Sequence, residues 1–127
     1  MMRFYLETYG CQMNLADSEL VSSILIEAGH KLVSNIDEAD LIIFNTCSVR
    51  EHAENRVLGR IATEKFRKSI NPELKIAVIG CMAQRMGKRL IDNYGVDYVV
   101  GVDQYLEFPE LIQQEQGIKT CSDNFQT

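Results

Sequence analysis

No run of about 18 consecutive apolar residues occurs in this sequence, so no membrane-spanning helix is expected. The opening residues, MMRFYLETYGC, lack a charged leader followed by a long apolar stretch, and no secretory signal is expected in them. The expected setting is therefore cytoplasmic and reducing. There the four cysteines serve as ligands, catalysts or inert core residues rather than as disulfides. Proline is scarce, with two residues in 127, and 46% of the chain is apolar; both favour one packed globular core. Basic residues are in deficit: 13 Lys and Arg against 18 Asp and Glu leave a net charge of −5. That disfavours nucleic-acid binding by this domain alone, because phosphate contacts need clustered cations. It leaves room for a domain that borders a nucleic-acid site built elsewhere. Also missing are GxGxxG, a Walker A loop, HExxH, GxSxG and any C-x-x-C pair.

What is present is a strand–helix alternation. Phe4 to Thr8 and the near-continuous apolar run Leu41 to Asn45 predict strands, as do Ile76 to Ile79 and Val96 to Val100, with a short one at His30 to Ser34. Between them, helices are expected over Leu15 to Ala28, Arg50 to Lys68 and Met82 to Asn93. A last helix has Pro109 in its first turn and ends at Gly117. The expected inward residues are Leu20, Val21, Ile24, Leu25 and Ala28 on the first helix and Ala53, Val57, Ile61 and Ala62 on the second. Met86 and Leu90 face in on the third, Leu111 and Ile112 on the last. Asn14 or Asp17 suits the first N-terminal cap. Such alternation implies right-handed crossovers: an α/β fold with a mainly parallel open sheet and helices on both faces, in three layers. Residues 1–117 form the expected domain, and the polar, aperiodic 118–127 a linker or tail.

Cys11, Cys47 and Cys81 each follow such a strand, in RFYLETYGC, DLIIFNTC and KIAVIGC, and each precedes a helix. Parallel strands end at one edge, and loops there carry the sites of α/β proteins. The inferred fold would gather three distant thiols into one cluster. Helix N-termini favour thiolate and offset the charge of an anionic cluster. Glycine at positions 10 and 80 permits close backbone approach; Thr46 breaks that pattern before Cys47. Structural zinc wants four Cys or His ligands, commonly in close pairs, and iron–sulfur clusters usually take four cysteines. Three would leave one iron open to an outside ligand. Spacing alone leaves other readings standing: inert core cysteines in a small binding or regulatory module, a zinc-holding structural domain, or a redox dithiol.

The other candidates are weaker. Cys121 lies in the polar tail and is expected to be an exposed non-ligand. His30 and His52 suit ordinary surface or capping positions. Arg85, Lys88 and Arg89 form either an anion-steering patch or a solvated face. Tyr9 is either a base-stacking surface or packing. Asn14 and Asn45, beside two of the cysteines, are candidate hydrogen-bond donors to a cluster.

Three motifs, TYGCQMNLADSE (Thr8 to Glu19), DLIIFNTCSVREHAENR (Asp40 to Arg56) and IGCMAQR (Ile79 to Arg85), resemble the N-terminal domain of radical-SAM methylthiotransferases. The likeness covers roughly residues 3 to 101 and is nearest to the tRNA-modifying, MiaB-like branch. It implies an auxiliary [4Fe–4S] cluster on Cys11, Cys47 and Cys81. It also implies a larger enzyme that uses S-adenosylmethionine and a second [4Fe–4S] cluster to add a methylthio group at C-2 of N6-isopentenyladenosine beside the tRNA anticodon. The second cluster rests on a CxxxCxxC motif in a radical-SAM domain, and an RNA-binding TRAM domain follows it in the family. Neither lies in these 127 residues, so the implied partners are those domains of the same enzyme and tRNA, and the chain alone should be inactive. Sister branches act on a ribosomal-protein aspartate or on threonylcarbamoyl-adenosine. Gln12, Met13 and the Ser48 to Glu51 run favour the tRNA branch.

Overall fold

The computed structural model describes residues 1–10, 12–46, 51–113 and 120–121, with the backbone alone for 51–53 and 120–121. An apolar run without alternation, such as Leu41-Ile42-Ile43-Phe44, can be buried only where both faces of a sheet are covered. Strand β3 (Leu41–Thr46) is accordingly buried at all six positions. It pairs in parallel with β1 (Arg3–Tyr9) on one side and β4 (Lys75–Ile79) on the other. The sheet is completed by β2 (Lys31–Leu32) outside β1, and by β5 (Tyr98–Val100) and β6 (Thr120–Cys121) outside β4. Every pairing is parallel, in the order β2-β1-β3-β4-β5-β6.

The period-two alternation of strands divides the core in two. Ile42, Phe44, Ile76, Val78 and Val99 face one layer, packed with Val57 and Ile61 of α2 (Glu51–Ile70), Met82 and Met86 of α3 (Cys81–Met86), and Leu90 of α4 (Lys88–Tyr94). Leu41, Ile43, Ala77, Ile79, Tyr98 and Val100 face the other, packed with Val21 and Leu25 of α1 (Gln12–Glu27) and with Phe108, Leu111 and Ile112 of α5 (Phe108–Gln113). This is the three-layer α/β arrangement expected from the sequence. Among the described residues no helix is long and apolar enough to cross a membrane.

Four differences have physical causes. The buried stripe of α1 is Asn14, Ser18, Val21 and Leu25, while Leu20 is half exposed. Two polar residues take inward positions because they meet a polar partner on β3, described below. On α2 the described inward positions include Val57 and Ile61, as expected, but also Glu54 and Glu64; Ala62 faces solvent. Both glutamates are neutralised by arginines. The expected helix over Met82 to Asn93 is two helices, broken at Gly87, which has φ +52° and so ends α3. Thr120–Cys121, expected to be part of a tail, pair with Tyr98 and Val99 as the sixth strand. Main-chain hydrogen bonding there needs no apolar pattern. The expected stop at Gly117 lies outside the described residues.

The sheet order positions the site. From β1 the chain moves outward to β2, then crosses back over β1 to β3. The winding direction reverses between β1 and β3, and open α/β sheets bind ligands beyond the carboxyl ends of the strands at such a switch point.

Candidate functional site

The strands that lead to the three candidate cysteines are consecutive neighbours. The last register pairs are Tyr9 with Thr46 and Asn45 with Ile79, so β1, β3 and β4 end within a residue of one another at the switch-point edge. In sequence, Gly10-Cys11, Cys47 and Gly80-Cys81 come next. Cys81 is the first residue of α3 and is exposed. Cys11 and Cys47 lie outside the described residues. Among the described residues no group of three His, Cys, Asp or Glu is disposed to hold a metal ion. With six residues, α3 is also too short to supply much of the dipole expected of a longer helix beginning at Cys81.

A polar lock sits behind this edge. The Asn45 amide donates to the Asn14 carbonyl at 2.8 Å and to Ser18 Oγ at 2.9 Å, and Asn14 Nδ2 donates back to Asn45 Oδ1 at 3.3 Å. Thr8 and Ser18 share a 2.6 Å hydroxyl contact. The two amide protons of Asn45 are thus committed to α1. Asn45 ties α1 to the end of β3 rather than offering a donor to a ligand. Asn14 lies inside α1, in its first turn, not at its cap. Gly80 abuts the same lock: a Cβ built on it would lie 2.5 Å from Asn45 Oδ1, and its φ of +91° disfavours any side chain. Its N–H reaches the Val100 carbonyl at 3.3 Å, which fastens the end of β4 to β5.

Two buried polar atoms in segments at this edge have no hydrogen-bond partner: Thr46 Oγ1, at the end of β3, and Gln104 Oε1, in the 3-10 turn Val102–Glu107 after β5. Buried polar groups are rarely left so without a reason. A hydroxyl one residue before Cys47 suits an edge that receives a polar or sulfur-rich group. Cysteine thiolates, as soft donors, would select iron–sulfur centres, copper(I) or zinc over hard cations.

The surroundings of the edge are charge-paired. Glu54, 8% exposed, takes a fork of two hydrogen bonds from Arg85 on α3, with Nε at 2.9 Å and Nη2 on the second oxygen. Arg85 is therefore not part of a free basic patch. Arg89 donates to the carbonyls of Met86 and Arg85, and Lys88 is solvated. The Tyr9 hydroxyl donates to Glu7 at 2.7 Å, and its ring carries the Arg56 guanidinium at 5.0 Å, so Tyr9 is packed and bonded. Tyr105 donates to Asp17 at 3.0 Å; burial and then the Asp17 charge push its hydroxyl well up, with Cys81 adding to the effect. No sequence signal marked Tyr105 or Glu54. His30 is half-buried and accepts the Met2 N–H at Nδ1 (3.0 Å); burial holds its imidazole below the ordinary range. His52 lies on α2 with its side chain outside the described residues, as does that of Cys121 on β6.

The sequence model of the uncharacterized protein family UPF0004 matches residues 3–101, which span β1 to β5 and all three candidate cysteines. The chain belongs to this family. The matched span of UPF0004 leaves out Cys121. Among curated proteins, the chain is 47% identical over 124 residues to a tRNA-2-methylthio-N(6)-dimethylallyladenosine synthase of Porphyromonas gingivalis, covering 94% of this chain and 27% of that protein. Proteins of the same name from Azobacteroides pseudotrichonymphae and Bacteroides thetaiotaomicron are each 46% identical, over 96% and 87% of this chain and 27% and 24% of their own lengths. The chain thus spans about a quarter of the length of these relatives.

Proposed function

We propose that this chain is the auxiliary-cluster domain of a tRNA methylthiotransferase, with Cys11, Cys47 and Cys81 as the ligands of a [4Fe–4S] cluster. The observation that carries the reading is the side-by-side ending of β1, β3 and β4 at the switch point, each strand leading within two residues to one of the cysteines. When bound, such a cluster supplies an iron with one position free of protein ligands. The chain's own residues do the rest. The Asn45 lock holds β3 against α1, Gly80 lets β4 end close beside it, and the surrounding carboxylates are neutralised by arginine.

The relatives' name supports a full enzyme that places a methylthio group at position 2 of an N6-dimethylallyl adenine in tRNA. In that enzyme a radical-SAM domain would carry the second [4Fe–4S] cluster and S-adenosylmethionine, and a TRAM domain would grip the RNA in the cytoplasm. The paired cations fit this division of labour: Arg3, Arg60, Arg67, Lys68 and Arg85 are all held by carboxylates and are not spare for phosphate.

The test is anaerobic reconstitution of the chain with iron and sulfide, beside a variant with Cys11, Cys47 and Cys81 changed to alanine. About four iron and four sulfide per chain in the parent, and none in the variant, is the expected result. Stoichiometric zinc without sulfide, or a folded colourless chain, would overturn it.

A further inference from the structure

Helix α3 carries Cys81, yet little in its backbone fixes its direction. It has six residues between Gly80 and Gly87, both at positive φ, +91° and +52°. Its direction must come from its side chains. Met82, Ala83 and Met86 are buried against the sheet, which sets the depth of the helix. Arg89 of α4 donates to the Met86 and Arg85 carbonyls of α3, and two of α3's own side chains tie it to other elements. Gln84 Oε1 accepts the Val102 N–H at 3.1 Å, and Arg85 forks onto Glu54.

The second tie joins α3 to α2. Glu54 lies on α2, the helix that follows Cys47, and Arg85 on α3, the helix that Cys81 begins. We infer that the Glu54–Arg85 clasp is a positioning device for the thiol site, fixing the direction of α3, and with it Cys81, against α2. This rests on the cluster reading above. The chemistry suits the task. A guanidinium–carboxylate fork constrains angle as well as distance, which a lysine point charge does not. A carboxylate 8% exposed is costly without its partner, so the clasp does not open freely. Groups that orient a metal's ligands typically contribute about 10–100-fold to its affinity.

The experiment reconstitutes the full chain anaerobically and compares Glu54→Gln and Arg85→Lys with the parent. The readouts are iron and sulfide content, reduction potential, and the electron paramagnetic resonance spectrum of the reduced state. Glu64→Gln is the control. Glu64 is a buried glutamate of the same α2 stripe, paired with Arg60 and Arg67 and not with α3. Its loss lowers stability without touching the clasp. The expected result is several-fold lower iron retention in Glu54→Gln and Arg85→Lys, with a broadened spectrum and a shifted potential. Glu64→Gln should keep the parent's spectrum and potential while unfolding at lower denaturant. Parent-like spectra and loading in both clasp variants would overturn the inference, as would an equal change in Glu64→Gln. If Glu54→Gln fails to fold, Arg85→Lys decides, since its exposed side chain leaves the core intact. A parent that takes up no iron would instead overturn the functional reading, and the clasp's role with it.

Discussion

At the scale of single residues, Gly80 is the most constrained position described. Its backbone is left-handed and the space a Cβ would need is filled by Asn45 Oδ1 at 2.5 Å. Gly80→Ala should therefore destabilise the chain by more than about 1 kcal/mol, because the strained backbone and the displaced amide add. Urea unfolding checks this, and a neutral result would mean that the Asn45 lock yields easily. The candidate ligands were legible in the sequence because a cysteine after an apolar strand is visible in one dimension. The pairings around them were not. Asn45 bonds to Ser18, Glu54 to Arg85, and Tyr105 to Asp17, each across chain separations that no local pattern reports.

At the scale of elements, α2 shows why a helical period can be recognised and its inward face still be misjudged. Counting apolar residues found Val57 and Ile61. It passed over Glu54 and Glu64, which occupy the same stripe, and it turned Ala62 inward where solvent lies. A charged residue is counted as exposed until its partner is known, and these partners lie on other strands and helices or a turn away. The α2–β1 contact is one such pairing. Arg60 donates to both oxygens of Glu7, at 3.1 and 2.7 Å, and to Glu64 as well. Burial alone would raise the Glu7 carboxyl, but the Arg60 fork and the Tyr9 hydroxyl outweigh it and hold it below its ordinary value. A carboxylate depressed in the fold contributes stability above its unfolded pKa of 4.5, and that contribution is lost as pH falls through the lower folded value. Arg60→Gln should cost more than about 1 kcal/mol at neutral pH, since it removes a partner from the buried Glu64 as well as from Glu7. It should also flatten the fall in stability below pH 4.5. Denaturation midpoints at pH 7 and across the acid range check both parts; an unchanged acid slope would remove Glu7 from the account.

At the scale of the whole molecule, the fold class was readable because parallel strands buried on both faces leave unbroken apolar runs. The sheet order was less so, since period and propensity do not say which strand lies beside which. The sixth strand carried no signal at all: its hold on β5 is main-chain hydrogen bonding. A chain ending at Gln113 should keep the layers formed by β1 to β5 but bare the edge of β5, whose three residues are all buried. Exposed apolar edges template association. Light scattering should then show several-fold faster, concentration-dependent aggregation than in the full chain. Equal behaviour would mean that β6 is dispensable as an edge cover.

The placement of β3 between β1 and β4 has a consequence for how the protein is made. On the ribosome β1 emerges first, but its inner neighbour is not synthesised until Leu41–Thr46, and the neighbour of that strand until Lys75–Ile79. The edge at which β1, β3 and β4 end together is therefore finished only after β4 has docked. Metal supplied to the growing chain earlier would meet one or two thiols on an incomplete sheet. On the proposed cluster reading, loading of the site would follow folding in time, and a nascent chain stalled before β4 would expose uncommitted thiols to oxidants in the cell.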